Sequence, residues 1–223
     1  MALRDFFSAL PLLNQVNRYH FYIPGYTEAL GYFSDVRVVL SEEWLSGVPH
    51  DLQDYFYKVN FPCYMVPIFR GTDCYGFVVK GFTKMTPRFC TNALLPGCER
   101  IQGGELVVLV EGFKDAYTPM LVSKGLPVVV VPMLTAIPSR EFLGWLKEMG
   151  CSVLYVPDND SRIGEHSARF SELIGSVGVR GAIHKLVGIK DFGDCFVSND
   201  IIHKAVLEEG RTLRGVLKSL TSF

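Results

Sequence analysis

The sequence contains no C-x-x-C pair. Its six cysteines, Cys63, Cys74, Cys90, Cys98, Cys151 and Cys195, are scattered singly along the chain. Zinc ligation wants paired Cys or His at short spacing, so no zinc is expected and these residues read as reduced, mostly buried thiols. Long apolar runs are also lacking. The longest, Leu126 to Leu134, falls far short of the ~20 residues that cross a bilayer. The N-terminus shows no basic segment leading into an apolar stretch and a small-residue cleavage site, so the expectation is a cytoplasmic protein with no membrane partner. No Walker-type phosphate loop, internal repeat or low-complexity tract is visible. The net charge is −1, which carries no overall excess of positive charge for a nucleic acid.

The distribution of charge differs from its sum. From Glu28 to Asp54 there are six acids and one Arg, whereas Lys58, Arg70, Lys80, Lys84, Arg88 and Arg100 face only Asp73 and Glu99 between 58 and 100. A local positive excess is the footprint that a phosphate backbone needs, and equally describes a merely solvated basic face. With 48% hydrophobic and 20% charged residues in 223, the chain is a folded protein with enough length for one large domain or two small ones.

Residues 1–60 read as mostly helical, with weak patterns over 3–16, 28–33 and 51–57. Residues 64–69 and 75–80 are β-rich runs around Gly71-Thr72-Asp73, a hairpin signal, and 88–91 forms a third extended piece. Beyond Gly103-Gly104 the pattern alternates. Strands are predicted at 106–110, 127–131, 152–156 and 179–184, with helices at 114–124, 139–150 and 164–174 between them. One or two helices close the chain over 199–217. Val-rich strands separated by helices imply a parallel sheet covered on both faces, whose ligands sit outside the carboxyl ends of the strands. The expected division is an N-terminal helical and β-hairpin basic subdomain (1–103), an α/β domain (104–198) and C-terminal helices (199–223).

Three acidic clusters fall at those strand ends: Glu111-Gly112 with Asp115, then Asp158-Asn159-Asp160, then Lys190-Asp191-Phe192-Gly193-Asp194. Packed acids raise one another's pKa unless a cation neutralises them, and oxygen ligands without His or Cys suit Mg²⁺ or Mn²⁺ rather than zinc. Asp115 or Asp160 taken alone would also serve as a helix N-cap. Asp158 and Asp160 share a metal only if the chain turns at Asn159. The three clusters in order are much harder to obtain by chance than any one.

The stretches VVLVEGFKDA (107–116), VLYVPDNDSRIGEHSARF (153–170) and IKDFGD (189–194) resemble the TOPRIM domain shared by bacterial-type primases, type IA and II topoisomerases, OLD-type nucleases and maturation ribonucleases. The resemblance implies a TOPRIM parallel sheet flanked by helices, preceded by a smaller α+β basic subdomain. It also implies metal-holding and catalytic roles for Glu111, Asp158 and Asp160, with Asp115, Asp191 and Asp194 as further acids of the site. Two departures are visible. The loop from Asp158 to Gly164 is one residue longer than the usual primase form, and Asp191 and Asp194 are three apart rather than two. MVPIFRGTDCYGFVVKGFTKMTPRFCTN (65–92) is similar to the primase-specific basic subdomain, with Lys80 at the first basic position and Arg88 at the second. This likeness implies that Lys80 and Arg88 bind nucleotide triphosphate and template, and Lys84, Arg70 and Lys190 are expected as further nucleotide- or template-binding bases.

Together these imply a bacterial or phage-type DNA primase core, making short RNA primers on single-stranded DNA from NTPs, with a replicative helicase as a further partner. If phage-encoded, it would act in the host cytoplasm. The zinc module and helicase region of bacterial-type primases have no counterpart in the sequence. The alternatives are a TOPRIM nuclease using the same carboxylates, or a non-enzymatic replication or recombination accessory protein. A topoisomerase is disfavoured, because 223 residues leave no room for a strand-passage gate.

Overall fold

The computed structural model describes residues 10–15, 21–46, 48, 50–71, 73–82, 87–90 and 93–222. The chain divides into two compact units, Met1–Glu99 and Arg100–Phe223. The closing helix, expected as a separate segment, packs within the second unit.

In the first unit, an antiparallel sheet of order β1-β2-β3-β4 is formed by Arg37–Val39, Cys63–Arg70, Asp73–Lys80 and Arg88–Cys90. The hairpin β2–β3 is the one signalled by Gly71 and Asp73, with a bulge at Ile68/Phe69; Thr72 lies outside the described residues. β1 corrects the helical reading of residues 1–60. Only three residues long, it shows too little alternation to be seen in sequence, and its Arg-Val-Val forms a strand because Cys63–Met65 lies beside it as a partner. Helices α1 (Tyr26–Leu30) and α2 (His50–Tyr57) fall near two of the predicted segments. Of the first predicted helix, only residues 10–15 are described: a bridge from Leu12 to Arg37 and one 3₁₀ turn, Leu13–Gln15.

Strand alternation in β2 and β3 sorts the core into two faces. Cys63, Met65, Phe77 and Val79 join Leu45, Leu52, Phe56 and Val59 in one buried cluster. Its centre is Phe77, fully buried, with ring centroids 5.2 Å from Phe56, 5.6 Å from Phe89 and 5.9 Å from Tyr55. Tyr64 points the other way, 4.4 Å from Phe21 and hydrogen-bonded to the Thr27 hydroxyl of α1. Gly76 is required by close strand approach: a Cβ there would lie 2.1 Å from the Phe89 carbonyl oxygen.

The second unit is a parallel sheet flanked by helices. Its order, β6-β5-β7-β8, comes from Val128–Pro132, Leu106–Val110, Ser152–Tyr155 and Gly181–Ile183. β5 is buried along its whole length, as an apolar strand covered on both faces must be. The helices are α3 (Phe113–Val122), α4 (Arg140–Glu148), α5 (Ile163–Val177) and α6 (Asp200–Thr221). α3 packs on β5, β6 and α6, while α4 packs on α5. Polar caps set two of the helix starts: Ser139 Oγ accepts from Phe142 N at 3.1 Å, and Asn199 Oδ1 accepts from Ile201 N and Ile202 N. The single long α6 is anchored by buried Glu209, whose Oε1 is 2.7 Å from His184 Nε2 just past β8. No helix among the described residues is long and apolar enough to cross a membrane.

Phe77→Ala removes the ring around which the first core closes. Truncating a buried Phe costs about 3–5 kcal/mol, so the unfolding midpoint in urea should fall markedly. Phe89→Ala, at a partly buried edge position, should cost less in the same titration.

Candidate active site

The strand order creates the site. β5 has β6 on one side and β7 on the other, so the chain leaves the carboxyl end of β5 beside the loop that follows β7. Such a switch point opens a crevice between neighbouring loops. Glu111 directly follows β5, Asp115 stands in the first turn of α3, and Asp158 follows β7. The loop past β8 completes the wall, being stapled to the Asp158 loop by Asn159. The Asn159 backbone N–H donates to the Lys190 carbonyl at 2.6 Å, and its side-chain amide donates to the Ile189 carbonyl at 3.1 Å.

These loops bring Asp115, Asp158 and Asp191 together, each offering a carboxylate oxygen within 4.8 Å of the others. Glu111 stands beside them, its Oε1 accepting from the Asp158 backbone N–H at 3.3 Å. Asp115 both caps and reaches across: Oδ2 accepts from Gly112 N at 2.8 Å, and Oδ1 accepts from Gly193 N at 3.1 Å. Gly193 permits this closeness. A Cβ at that position would lie 2.9 Å from both Asp115 Oδ1 and Asp191 Oδ1.

The other acids sit further out. Asp160 is exposed, and its Oδ1 accepts from Arg162 N at 2.8 Å, so the chain does turn after Asp158. It lies outside the trio, although its charge contributes to raising the Glu111 pKa. Asp194 Oδ2 accepts from Lys190 N at 3.0 Å, closing the turn that presents Asp191. Lys190 places its ammonium 2.9 Å from Asp191 Oδ2, and this pairing raises the lysine pKa.

One lysine does not neutralise this much charge. Burial, reinforced by the Asp191 charge, pushes Asp115 up to about 7. Burial and then the Asp115, Glu111 and Asp191 charges push Asp158 up to about 8. Burial likewise raises Glu111. The Tyr155 hydroxyl is held above its usual range by burial and by Glu111, Asp158 and Asp160, and donates to the Ala136 carbonyl at 2.6 Å. Three close oxygens, residual negative charge and no sulfur or nitrogen in the trio fit a hard divalent cation such as Mg²⁺ or Mn²⁺.

Among the basic residues, Arg70 and Arg88 are exposed on the antiparallel sheet. Lys80 is not. It pairs with Tyr64 on the face covered by α1, and its buried ammonium lies 4.4 Å from the Tyr26 ring centroid. The Lys80 amine thus lies in the core beside an aromatic face, unlike the exposed Arg70 and Arg88. Lys84 lies outside the described residues. The sequence reading missed His166, buried on α5 with Nδ1 3.8 Å from Glu111 Oε1, and also Gly193. A histidine three residues into a helix that follows an acidic loop was the only signal for the first, and only the tertiary approach of two acids reveals the second.

No family model and no curated protein matches the sequence. Solved structures do match. The zinc-binding and RNA polymerase domains of the Aquifex aeolicus primase superpose with a TM-score of 0.60 at 18% identity, covering 98% of this chain and 60% of that one. A DNA primase domain from Pseudomonas aeruginosa gives 0.57 at 16% identity, over 86% and 71%. A DnaG primase catalytic domain bound to single-stranded DNA gives 0.55 at 15%, over 82% and 67%. The chain therefore spans about three fifths of the Aquifex structure's length. Its fold is that of the RNA polymerase domain of bacterial primases.

The raised carboxyls give stability a definite pH dependence. Each prefers its protonated form in the folded protein, so the folded state binds more protons than the unfolded chain between about pH 4 and pH 8. Stability without metal should accordingly fall as pH rises through that window. Asp158→Asn should flatten the fall and raise the metal-free melting temperature at pH 8, read by circular dichroism. Added Mn²⁺ should stabilise the wild type more than the variant.

Proposed function

We propose that this chain is the RNA-polymerising core of a primase, joining ribonucleotides on a single-stranded DNA template. The observation that carries the reading is the convergence of Asp115, Asp158 and Asp191, beside Glu111, on the switch point of a sheet with the primase polymerase fold. In the proposed reaction a primer 3′-hydroxyl attacks the α-phosphate of an incoming NTP and pyrophosphate leaves.

The reading takes these acids as the TOPRIM arrangement that the sequence motifs resemble. Asp115, Asp158 and Asp191 would hold Mg²⁺ or Mn²⁺, with Glu111 adjacent and Asp160 at the rim. A divalent ion bound there supplies charge stabilisation to the phosphoryl oxygens and acidifies the attacking hydroxyl. The protein's own contribution is placement. Gly193 lets two carboxylates converge, Asn159 fixes the loops that carry them, and Lys190 holds Asp191 while keeping a positive charge at the rim. Without a cation the same carboxylates would repel a nucleotide. Arg70 and Arg88 are the exposed bases proposed to contact nucleotide and template phosphates. One structural neighbour is described as bound to single-stranded DNA, in keeping with that template class.

Purified protein incubated with single-stranded DNA, labelled NTPs and Mn²⁺ should produce short oligoribonucleotides on a gel. Asp158→Asn and Asp115→Asn should abolish them with the fold retained. Cleavage of the DNA or of RNA without any synthesis would assign the carboxylates to a nuclease instead.

A charge-assisted phosphate contact contributes about 1.5–3 kcal/mol, so Arg88→Ala should weaken NTP binding roughly tenfold or more. Its Mn²⁺ affinity, measured by calorimetry without nucleotide, should be unchanged.

A further inference from the structure

His166 is 95% withdrawn from solvent, and its Nδ1 is without a hydrogen-bond partner among the described residues. A buried ring nitrogen left unpaired is costly, so its placement calls for a function or a partner. The acceptor it faces is Glu111 Oε1, 3.8 Å away, too long for a hydrogen bond but closed by a shift of under one ångström. The same Oε1 already accepts from the Asp158 backbone N–H at 3.3 Å. Both groups thus address one oxygen of Glu111, while Oε2 receives no hydrogen bond among the described residues.

We infer that His166 is a positioning residue for Glu111, donating from Nδ1 to Oε1 so that Oε2 is turned toward the cation-binding carboxylates. The inference rests on the metal-dependent reading of the site. A carboxylate with two accessible rotamers loses orientational freedom when a ligand fixes it. A donor clamping one oxygen beforehand removes that loss, and partners of this kind typically govern metal affinity as well as ligand orientation. The neutral imidazole with its proton on Nδ1 is sufficient, so the device needs no change of charge. The element is well chosen for rigidity: His166 sits in the opening turn of α5, its own N–H donating to the Arg162 carbonyl at 2.9 Å. Fully buried Phe170 lies one turn further along, its ring centroid 4.7 Å from that of Tyr155 in a tilted contact.

The test is Mn²⁺ binding by the full chain without nucleotide, read by electron paramagnetic resonance, with folding checked by circular dichroism. His166→Phe keeps a ring of similar size and deletes the donor; it should weaken Mn²⁺ binding by ~10–100-fold. His166→Asn, whose amide nitrogen falls near the Nδ1 position, should bind close to wild type. In a Glu111→Gln background, His166→Phe should cause no further loss, because the effect passes through Glu111. If the phenylalanine disturbs folding, His166→Leu makes the same comparison at smaller volume. Wild-type affinity in His166→Phe, equal loss in the Asn and Phe variants, or an undiminished loss in the Glu111→Gln background would each overturn the positioning role alone. A wild-type protein that binds no Mn²⁺ would overturn the metal reading, and this role with it.

Discussion

Like charges in a half-buried crevice cannot all ionise without a compensating cation, and the second unit is organised around that constraint. Asp115, Asp158 and Asp191 come from three different connections, yet their oxygens lie within 4.8 Å. The cost shows in Asp115 and Asp158, pushed to about 7 and about 8. Folding tolerates this because the surrounding sheet is indifferent to charge. β5 and β7 are held by parallel pairing and apolar burial, and the acids enter only where those strands stop.

The same constraint explains the small residues and polar staples nearby. Gly193 leaves the space in which two carboxylates approach, and Asn159 ties together the loops that carry Asp158 and Asp191. Asp194 shapes the turn rather than joining the cluster, and Lys190 pairs with Asp191. His166 is buried with its Nδ1 3.8 Å from Glu111 Oε1. A functional reading of the acids as a set therefore separates residues that converge from residues that make convergence geometrically possible, which a list of motif positions does not distinguish.

The antiparallel unit follows a different logic. Its two-faced core depends on strand parity in β2 and β3, so each side chain is committed to one face or the other. That parity places Lys80 against Tyr26, whereas Arg70 at the hairpin end and Arg88 on the edge strand β4 stay in solvent. In sequence the three bases look alike. Lys80 is internal because it stands on the inner strand β3, opposite Tyr64 and against α1, a position that only the folded sheet defines.

What the sequence determined alone was the alternation of Val-rich strands and helices after residue 104, the hairpin around Gly71, and the acids at strand ends. Each follows from local patterning: buried parallel strands are continuously apolar, turns need Gly or Asp, and a site in such a sheet must use loop residues. The short strand Arg37–Val39 escaped because three residues carry no period, and its conformation is imposed by its neighbour. Which acids meet was likewise beyond local pattern. The family resemblance put Glu111 with Asp158 and Asp160 first, whereas sheet order, the Asn159 staple and the missing Cβ at Gly193 gather Asp115, Asp158 and Asp191. Distances between loops are set by the strands packed between them, so residues adjacent in sequence can diverge while residues far apart come into contact.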